Sequence, residues 1–317
     1  MAPMAEVTTP ALRKCVRGFS PNTVLFSEML SASAVVGNAQ HNEPLMARNE
    51  YDEPFVYQLL GGDPEIMARA CVVLQDMGAG AVDINMGCSA PDVIRKMQGA
   101  KLLKEPLLVS SIIKECRKVF KGKLSVKMRS GYDSSDRDFL VEFARMLEGE
   151  GVDFITLHGR YAKLSFRRKA DWDLVKLLKT EISIPVIGNG DILSPEEAEL
   201  RFKDTGCNGI MIGREGVKSP WIFALAEELI TAGKYNLSVD LLEVFSGVMN
   251  DLENNLPPQL HKSRGHRFSF YYTKNFIFYH DIFKKIRNVD RIKDMTDILE
   301  EYIYRNPHER VKVFQQE

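Results

Sequence analysis

Short apolar runs rich in β-branched residues recur along the first 235 residues of the chain. Each run is followed by a polar or glycine-containing turn and then, in most cases, by apolar residues at helical spacing, which is typical of alternating strands and helices. The first run is cut short by the start of the chain. The runs predicted as strands are 2–5, 23–26, 55–59, 81–85, 124–127, 154–157, 185–188 and 209–212.

The segments between these runs supply the crossover helices. Those predicted over 64–77, 106–119 and 195–203 open with the proline that is favoured in a first helical turn, and a fourth helix is predicted over 138–150. Eight alternations of strand and helix predict a parallel sheet that closes as a TIM barrel. An open doubly wound sheet is the alternative, but the G-x-G-x-x-G turn expected after an early strand is missing from the sequence.

After Tyr235 the strand-like runs stop, and helical patterns continue with a break at residues 254–258. We therefore predict an α/β fold, with a (β/α)8 TIM-barrel domain over 1–235 and a small all-α helical domain over 236–317. Residues 260–294 hold nine Lys or Arg and three Asp. Their aromatic residues fit either an RNA-binding stripe or an aromatic core with solvated lysines, namely Phe268, Phe270, Tyr271, Tyr272, Phe276, Phe278 and Tyr279.

Composition narrows the class of protein. The chain has 317 residues, of which 44% are hydrophobic and 27% charged, which suits one barrel-sized domain with a small appendage. No apolar run approaches the roughly 20 residues that span a bilayer, and the first residues lack a signal-peptide layout, so we expect a cytoplasmic protein without a membrane partner. The five cysteines form no CxxC pair, so we predict neither a disulfide framework nor a metal site.

Barrel enzymes place their chemistry on the loops that follow the strands, and these positions are polar here. The glycine-rich turns at 188–191 and 213–214 predict a phosphate site, because backbone amides approach an anion closely there and a helix follows. Tight turns alone would also explain the glycines. The polar residues at or just after the predicted strand ends are Gln58, Asn85, Lys127, Arg129, His158, Arg160, Asn189, Asp191 and Arg214.

Three strand-end residues suggest redox chemistry on a pyrimidine-like ring. Lys127 and His158 could donate hydrogen bonds to the N1 edge of a flavin, which gains negative charge on reduction. The alternative for His158 is a hydrogen-bonded core histidine. Cys88 lies in a strand-to-loop turn where a substrate could reach its thiol, whereas the other four cysteines have apolar or helical surroundings.

A basic run, RYAKLSFRRK, covers residues 160–169 with five positive charges and no acidic residue. Such runs are usually solvated faces. Because this one follows the sixth predicted strand and contains Tyr161 and Phe166, we expect contact with phosphates and a stacked base. The net charge of −1 gives no general attraction to nucleic acid, so binding must depend on such local patches.

Eight ordered motifs make the chain resemble the tRNA-dihydrouridine synthases, particularly their bacterial B-type branch. The resemblance covers nearly the whole barrel and is weaker after Tyr235. The motifs are PMAEVTTPALRK, FSEMLSA, QLLGGDP, DINMGCSAPDVIRKMQGAKLL, SVKMRSGYD, ITLHGR, IPVIGNGDI and IMIGREGVKSPWIF.

The resemblance implies an FMN-dependent enzyme that takes electrons from NADPH and reduces uridine to 5,6-dihydrouridine in the D-loop of tRNA. Hydride passes from the flavin to C6, and Cys88 corresponds to the acid that protonates C5. The partners implied are tRNA, gripped at its D-loop and elbow, and NADPH, and we expect a monomer. Asn85, Arg129 and Arg160 correspond to substrate-side residues. The flavin contacts implied are Pro3, Met4, Ala5, Gln58, Lys127, His158, Asn189, Gly190, Asp191, Gly213 and Arg214.

Four departures from the family pattern bear on these expectations. Ser89 replaces the usual proline after the cysteine, Glu6 replaces a glycine, and Thr9 stands where Asp is common. A carboxylate at Glu6 would be costly beside the flavin unless it points outward. Residues 273–275 read Thr-Lys-Asn where the family has an Arg-Lys-His run.

Two other functions remain as alternatives. A flavin barrel of this kind could act on a small molecule, as dihydroorotate or enoate reductases do. An RNA-binding protein without catalysis is the third hypothesis, motivated by Ser89 and Glu6.

Overall fold

The computed structural model describes residues 1–37, 43–164 and 168–316. Within these ranges, seven parallel strands form one sheet in which sequence order is also spatial order. The strands curl into a partial barrel with helices outside, and this architecture confirms the predicted TIM-barrel class. The strands are β1 (Leu25–Ser31), β2 (Phe55–Leu60), β3 (Ala81–Met86), β4 (Lys123–Arg129), β5 (Phe154–His158), β6 (Val186–Asn189) and β7 (Gly209–Met211).

The first predicted strand, 2–5, is wrong: these residues form no strand in the structure. Ala2 N donates to Ile212 O (2.8 Å) after β7, and the N-terminal amine donates to Val24 O (2.8 Å) before β1. The first two residues therefore lie between the edge strands and link them. Pro3 has no amide hydrogen, and a turn begins at Ala5, so no ladder can extend further.

The helices predicted between the strands are present with ends that differ by a few residues at most. No helix of the described chain is long and apolar enough to cross a membrane. Those of the barrel are α1 (Pro10–Phe19), α2 (Ala32–Val36), α3 (Glu43–Met46), α4 (Pro64–Asp76), α5 (Pro91–Arg95), α6 (Pro106–Val119), α7 (Arg137–Gly149), α8 (Asp173–Glu181), α9 (Pro195–Thr205), α10 (Arg214–Lys218) and α11 (Ile222–Ala232).

The region after residue 232 is helical, as we had predicted, but it also contains two strands, so the prediction that it is all-α is wrong. β8 (Tyr235–Asp240) pairs antiparallel with β9 (Val311–Gln316) near the end of the chain. The predicted boundary at 235/236 therefore falls inside a strand, and the division into two domains stays a prediction. The helices of this region are α12 (Leu241–Asn255), α13 (Pro258–Tyr272), α14 (Tyr279–Ile286) and α15 (Ile292–Arg305).

One continuous hydrophobic core runs through the barrel helices and this C-terminal region. Trp221 is fully buried at their junction. Its ring centroid lies 5.9 Å from that of Phe19, 6.4 Å from that of Tyr272 and 5.6 Å from that of Phe314. Aromatic side chains bury large apolar areas, so this residue ties the two regions together.

The aromatic residues of 260–294 were predicted to form either an RNA-binding stripe or an aromatic core, and the structure places some in the core and others at the surface. Phe268, Tyr272 and Phe276 are buried in the core, whereas Phe270 and Phe278 are exposed. The core interpretation therefore holds for the first three, and only the exposed side of this stripe is free to meet another molecule.

Candidate active site

The carboxyl ends of the strands surround one cavity of about 260 Å³ at the mouth of the barrel. Every residue that the sequence indicated as acid, flavin contact or substrate contact lines this cavity, although their individual roles stay predictions. These are Pro3, Met4, Ala5, Gln58, Asn85, Cys88, Lys127, Arg129, His158, Arg160, Asn189, Gly190, Asp191, Gly213 and Arg214.

Lys127, from β4, lines this cavity. Its Nζ donates to Asn189 Oδ1 (3.2 Å), and it forms no ion pair with any described residue. Burial lowers the pKa of Lys127 to about 8, with the charge of Arg129 acting in the same direction and that of Asp83 opposing it. An ammonium with unused donors in such a place would be stabilised by an anionic ligand.

His158, at the end of β5, is neutral. Burial lowers its pKa to about 2, and the nearby charges of Lys127, Arg129, Arg160 and Arg214 add to the effect. Arg160 Nη1 lies 3.2 Å from His158 Nε2. A guanidinium can only donate, so Nε2 accepts and the proton is on Nδ1. The histidine can therefore donate one hydrogen bond but does not act as a cation.

Arg160 is almost fully buried and ion-paired with Asp191. Its Nη2 lies 2.5 Å from Asp191 Oδ2, and its Nε donates to Arg168 O (2.5 Å). Asp191 Oδ2 also accepts from Ala170 N (2.8 Å), and Arg214 Nη2 lies 3.5 Å from Asp191 Oδ1. These contacts fix the two loops after β5 and β6 to each other. The carboxylate of Asp191 is thus a structural partner for arginines at the cavity rim.

The glycine-rich turns at 188–191 and 213–214 differ in the structural reason for their glycines. Gly188 lies against the Trp172 ring, since a Cβ there would lie 2.2 Å from the indole. Gly190 has a φ of 127°, and its carbonyl accepts from Trp172 Nε1 (3.1 Å). Packing therefore explains both of these residues. At Gly213 a Cβ would meet nothing closer than 3.7 Å, so its backbone is open to the cavity. The phosphate interpretation is strongest there.

The loop that carries Cys88 is held in place without the family's proline. Asn85 Oδ1 accepts from Gly87 N (3.1 Å) and Cys88 N (2.9 Å). Cys88 O accepts from Ala100 N (2.8 Å), and Arg129 Nε donates to Gly87 O (2.8 Å). Hydrogen bonds from Asn85, Ala100 and Arg129 therefore restrain this loop in place of a proline. With Ser89 at the next position, Cys88 still lines the cavity.

The other four cysteines lie away from this cavity. Cys71, Cys116 and Cys207 are buried, and Cys15 is partly buried against the core. Burial raises the pKa of Cys15 to about 12, with the charge of Asp251 adding to it. Cys88 is thus the one cysteine of the chain that lines this cavity, and its catalytic role stays a prediction.

Glu6 points away from the cavity, towards the C-terminal region. Its Oε2 lies 2.9 Å from Arg267 Nε, and its Oε1 lies 3.5 Å from Arg264 Nη1, both on α13. Its own amide donates to Glu28 Oε2 (2.5 Å). The departure from glycine therefore supplies a contact between the N-terminal loop and α13. The other departure in this motif, Thr9, caps α1 by accepting from Leu12 N.

A second cavity of about 500 Å³ adjoins the first and reaches α13. It shares Arg160, Asp191 and Arg214 with the first cavity. Part of the basic run 160–169 lines it, whereas Phe166 lies outside the described residues. The cations that line only this cavity are Arg168, Lys169, Arg201, Lys218 and Lys274.

Some lining residues of the first cavity were missed. Most of them have no side-chain group that indicates chemistry. Their position next to a predicted strand end could still have indicated that they line the site. Ala2 also packs with Phe26, Val56 and Met211 inside the sheet. The missed residues are Ala2, Met29, Gly87, Ile192, Leu193, Met211 and Glu215.

Comparison with known proteins assigns the chain to a family. The model for "Dihydrouridine synthase (Dus)" matches residues 1–300. A tRNA-dihydrouridine synthase B of Pasteurella multocida is 34% identical over 80% of this chain and 76% of its own length. Another, of Pseudomonas syringae pv. tomato, is 35% identical over 74% and 69%. The old yellow enzyme homologue of Zymomonas mobilis has a similar fold, with a TM-score of 0.50, 12% identity, and coverage of 69% of this chain and 85% of that one. The chain therefore belongs to the dihydrouridine synthase family.

Proposed function

We propose that this protein reduces uridine to 5,6-dihydrouridine in the D-loop of tRNA, with FMN at the barrel mouth and NADPH as reductant. The observation that carries the proposal is the meeting of Cys88, Lys127 and His158 in one cavity. Family membership supports the reaction and the tRNA substrate. FMN, NADPH and the roles of the residues are our inference from the site.

The residues of the cavity fit a flavin. Lys127 and neutral His158 offer donors that suit the pyrimidine edge of the ring, and the open backbone of Gly213 beside Arg214 suits the phosphate. Pro3, Met4 and Ala5 would line the ring from the N-terminal segment. When bound, FMN would supply the hydride for C6 of uracil.

Uracil is poorly electrophilic, so reduction is assisted when a positioned acid protonates C5 as negative charge develops there. Cys88 has the only thiol in the cavity among the described residues. The cationic side chains of Lys127 and Arg129 line the same cavity as this thiol. The thiol then regains a proton from water.

The second cavity supports tRNA as substrate. A base must leave its stack to reach the barrel mouth, and this costs least in a loop where pairing is incomplete. The cations around the second cavity can bind phosphates on either side of such a base. Lys274 lies 4.3 Å above the ring of exposed Phe270, so the altered 273–275 segment still offers a charge beside an aromatic surface.

The purified protein should be yellow, should bleach with NADPH, and should add two hydrogen atoms per reduced uridine to unmodified tRNA. Mass spectrometry of the tRNA before and after reaction measures this. A matched tRNA in which cytidines replace the D-loop uridines is the control and should keep its mass. If the protein bleached with NADPH but left the mass of the uridine-containing tRNA unchanged, the proposed reaction would be wrong.

The affinity for FMN should fall as the pH rises through about 8. Lys127 is charged below that pH and neutral above it, and a charged ammonium favours an anionic ligand. We expect a loss approaching tenfold per pH unit above the pKa, measured by quenching of FMN fluorescence between about pH 6.5 and about pH 9. Lys127→Met should bind FMN more weakly with a flat pH profile. A wild-type profile equally flat would contradict this role of Lys127.

A further inference from the structure

A line of buried hydrogen bonds runs through the barrel beneath the candidate site. Asp83, on β3, is fully buried, and its Oδ2 accepts from Gln58 Nε2 (2.8 Å) on β2. Gln58 Oε1 in turn accepts from Asn85 Nδ2 (2.8 Å). Asn85 Oδ1 then accepts the amides of Gly87 and Cys88. The line therefore connects a carboxylate inside the barrel with the backbone of the Cys88 loop.

Both ends set the direction of this line, because the carboxylate can only accept hydrogen bonds and the loop amides can only donate them. An ionised carboxylate only accepts hydrogen bonds, so the amide group of Gln58 must turn its nitrogen towards Asp83 and its oxygen towards Asn85. Asn85 must then present its nitrogen to Gln58 and its oxygen to the loop amides. With either amide reversed, two donors or two acceptors would face each other, and a buried polar group would lose its partner.

Ser125, on β4, contributes to the position of the carboxylate but not to the direction of the line. Its hydroxyl donates to Asp83 Oδ1 (2.7 Å). A hydroxyl can rotate either to donate or to accept a hydrogen bond, so Ser125 is compatible with either a donor or an acceptor at position 83. Asp83 is thus the side chain that permits a single arrangement at its end of the line, as the donor amides of the Cys88 loop do at the other end.

We propose that Asp83 is a positioning residue, which fixes the orientation of Gln58 and Asn85 and through them holds the Cys88 thiol over the substrate. The effect on catalysis rests on the proposed function, whereas the effect on the loop does not. Asp83 does not line the cavity, so it acts on the site through Gln58 and Asn85 and through its charge, which also affects Lys127.

The ionised state of Asp83 is retained at a cost to stability. Burial raises its pKa to about 6, against the opposing effects of the Gln58 and Ser125 hydrogen bonds and the charge of Lys127. A carboxyl with a raised pKa stabilises the fold least when it is ionised, so this cost is fully present above about pH 6. A group that served stability alone would be better replaced by a neutral one.

Asp83→Asn tests the proposal with an isosteric side chain that can face Gln58 with either an oxygen or a nitrogen. Hydrogen exchange of the amides of Gly87 and Cys88, measured with and without FMN, should become about threefold to tenfold faster, because these bonds are made only in one orientation. Reoxidation of the reduced flavin by tRNA should slow by a similar factor, with the melting temperature unchanged or higher.

Asp83→Leu removes the acceptor altogether and should give larger changes in both measurements. Ser125→Ala is the matched control, because it removes a hydrogen bond to the same carboxylate and leaves the direction of the line intact. It should leave both exchange and reoxidation within about twofold of wild type.

A double variant separates positioning from a general loss of structure. In Asn85→Ala, the line is already broken, so Asp83→Asn should add nothing to the loss in turnover. Additive losses would overturn the proposal, as would wild-type exchange at Gly87 and Cys88 in both Asp83 variants. Wild-type protein that never reduces tRNA would reject the proposed function instead, since the exchange measurement does not depend on it.

Discussion

Cys88→Ala is expected to keep FMN bound and to lower the rate of uridine reduction by about 10²- to 10³-fold. The thiol lines the cavity, but the residues that fit the flavin lie on other strands, so the yellow colour and bleaching by NADPH should remain. Two other titratable groups of the described cavity are not available as substitute acids. His158 is neutral, and Asp191 is held in its ion pair with Arg160.

Stopped-flow measurement of flavin reoxidation by tRNA gives this rate directly. Cys88→Ser preserves the shape of the side chain but offers a far weaker acid, and it should be nearly as slow as the alanine variant. Cys15→Ala, which changes a cysteine outside the cavity, should react like wild type. An alanine variant at position 88 that reoxidised at the wild-type rate would show that the proton comes from another group.

Asp52→Ala is expected to lower the free energy of unfolding by about 3 to 5 kcal/mol. Arg13 Nε lies 2.7 Å from Asp52 Oδ1, and Nη2 lies 3.1 Å from Oδ2, with both side chains completely buried. Arg13 also donates to Thr8 O (3.1 Å) and Ala47 O (2.7 Å). Without the carboxylate, a guanidinium would remain buried with its charge uncompensated.

Urea unfolding of the variants checks this value. Asp251→Ala is the matched control, since it breaks the exposed pair with Lys14 and should cost no more than about 1 kcal/mol. Replacing both members of the buried pair, as in Arg13→Met with Asp52→Leu, should cost less than Asp52→Ala alone. An equal loss from Asp52→Ala and Asp251→Ala would refute the argument from burial.

Much of the barrel could be predicted because its strands are short, apolar and regularly spaced. Those predicted over 55–59, 81–85 and 154–157 differ from the observed strands by a single residue at one end. The strand-end rule then located the cavity, since the carboxyl ends of parallel strands meet at one face. Polar residues at the ends of otherwise apolar strands are recognisable in the sequence, so the lining of the cavity could be predicted.

What could not be predicted depends on contacts between distant parts of the chain. β9 alternates partly buried and exposed residues, but its partner β8 lies 70 or more residues earlier. The pair of Arg13 and Asp52 likewise joins residues 39 apart. Asp83 left a signal that could have been used, because it and Asn85 are polar residues on the same face of a buried strand.

The burial of Trp221 between the barrel and the C-terminal region limits which sequence changes at this junction the fold can accommodate. Its ring contacts three aromatic residues from α1, α13 and β9, so neither region has a closed surface at this junction. Grafting the C-terminal region of a relative onto this barrel would leave mismatched shapes around the indole. Changes in exposed residues of this region are therefore easier to accommodate than exchange of the region as a module.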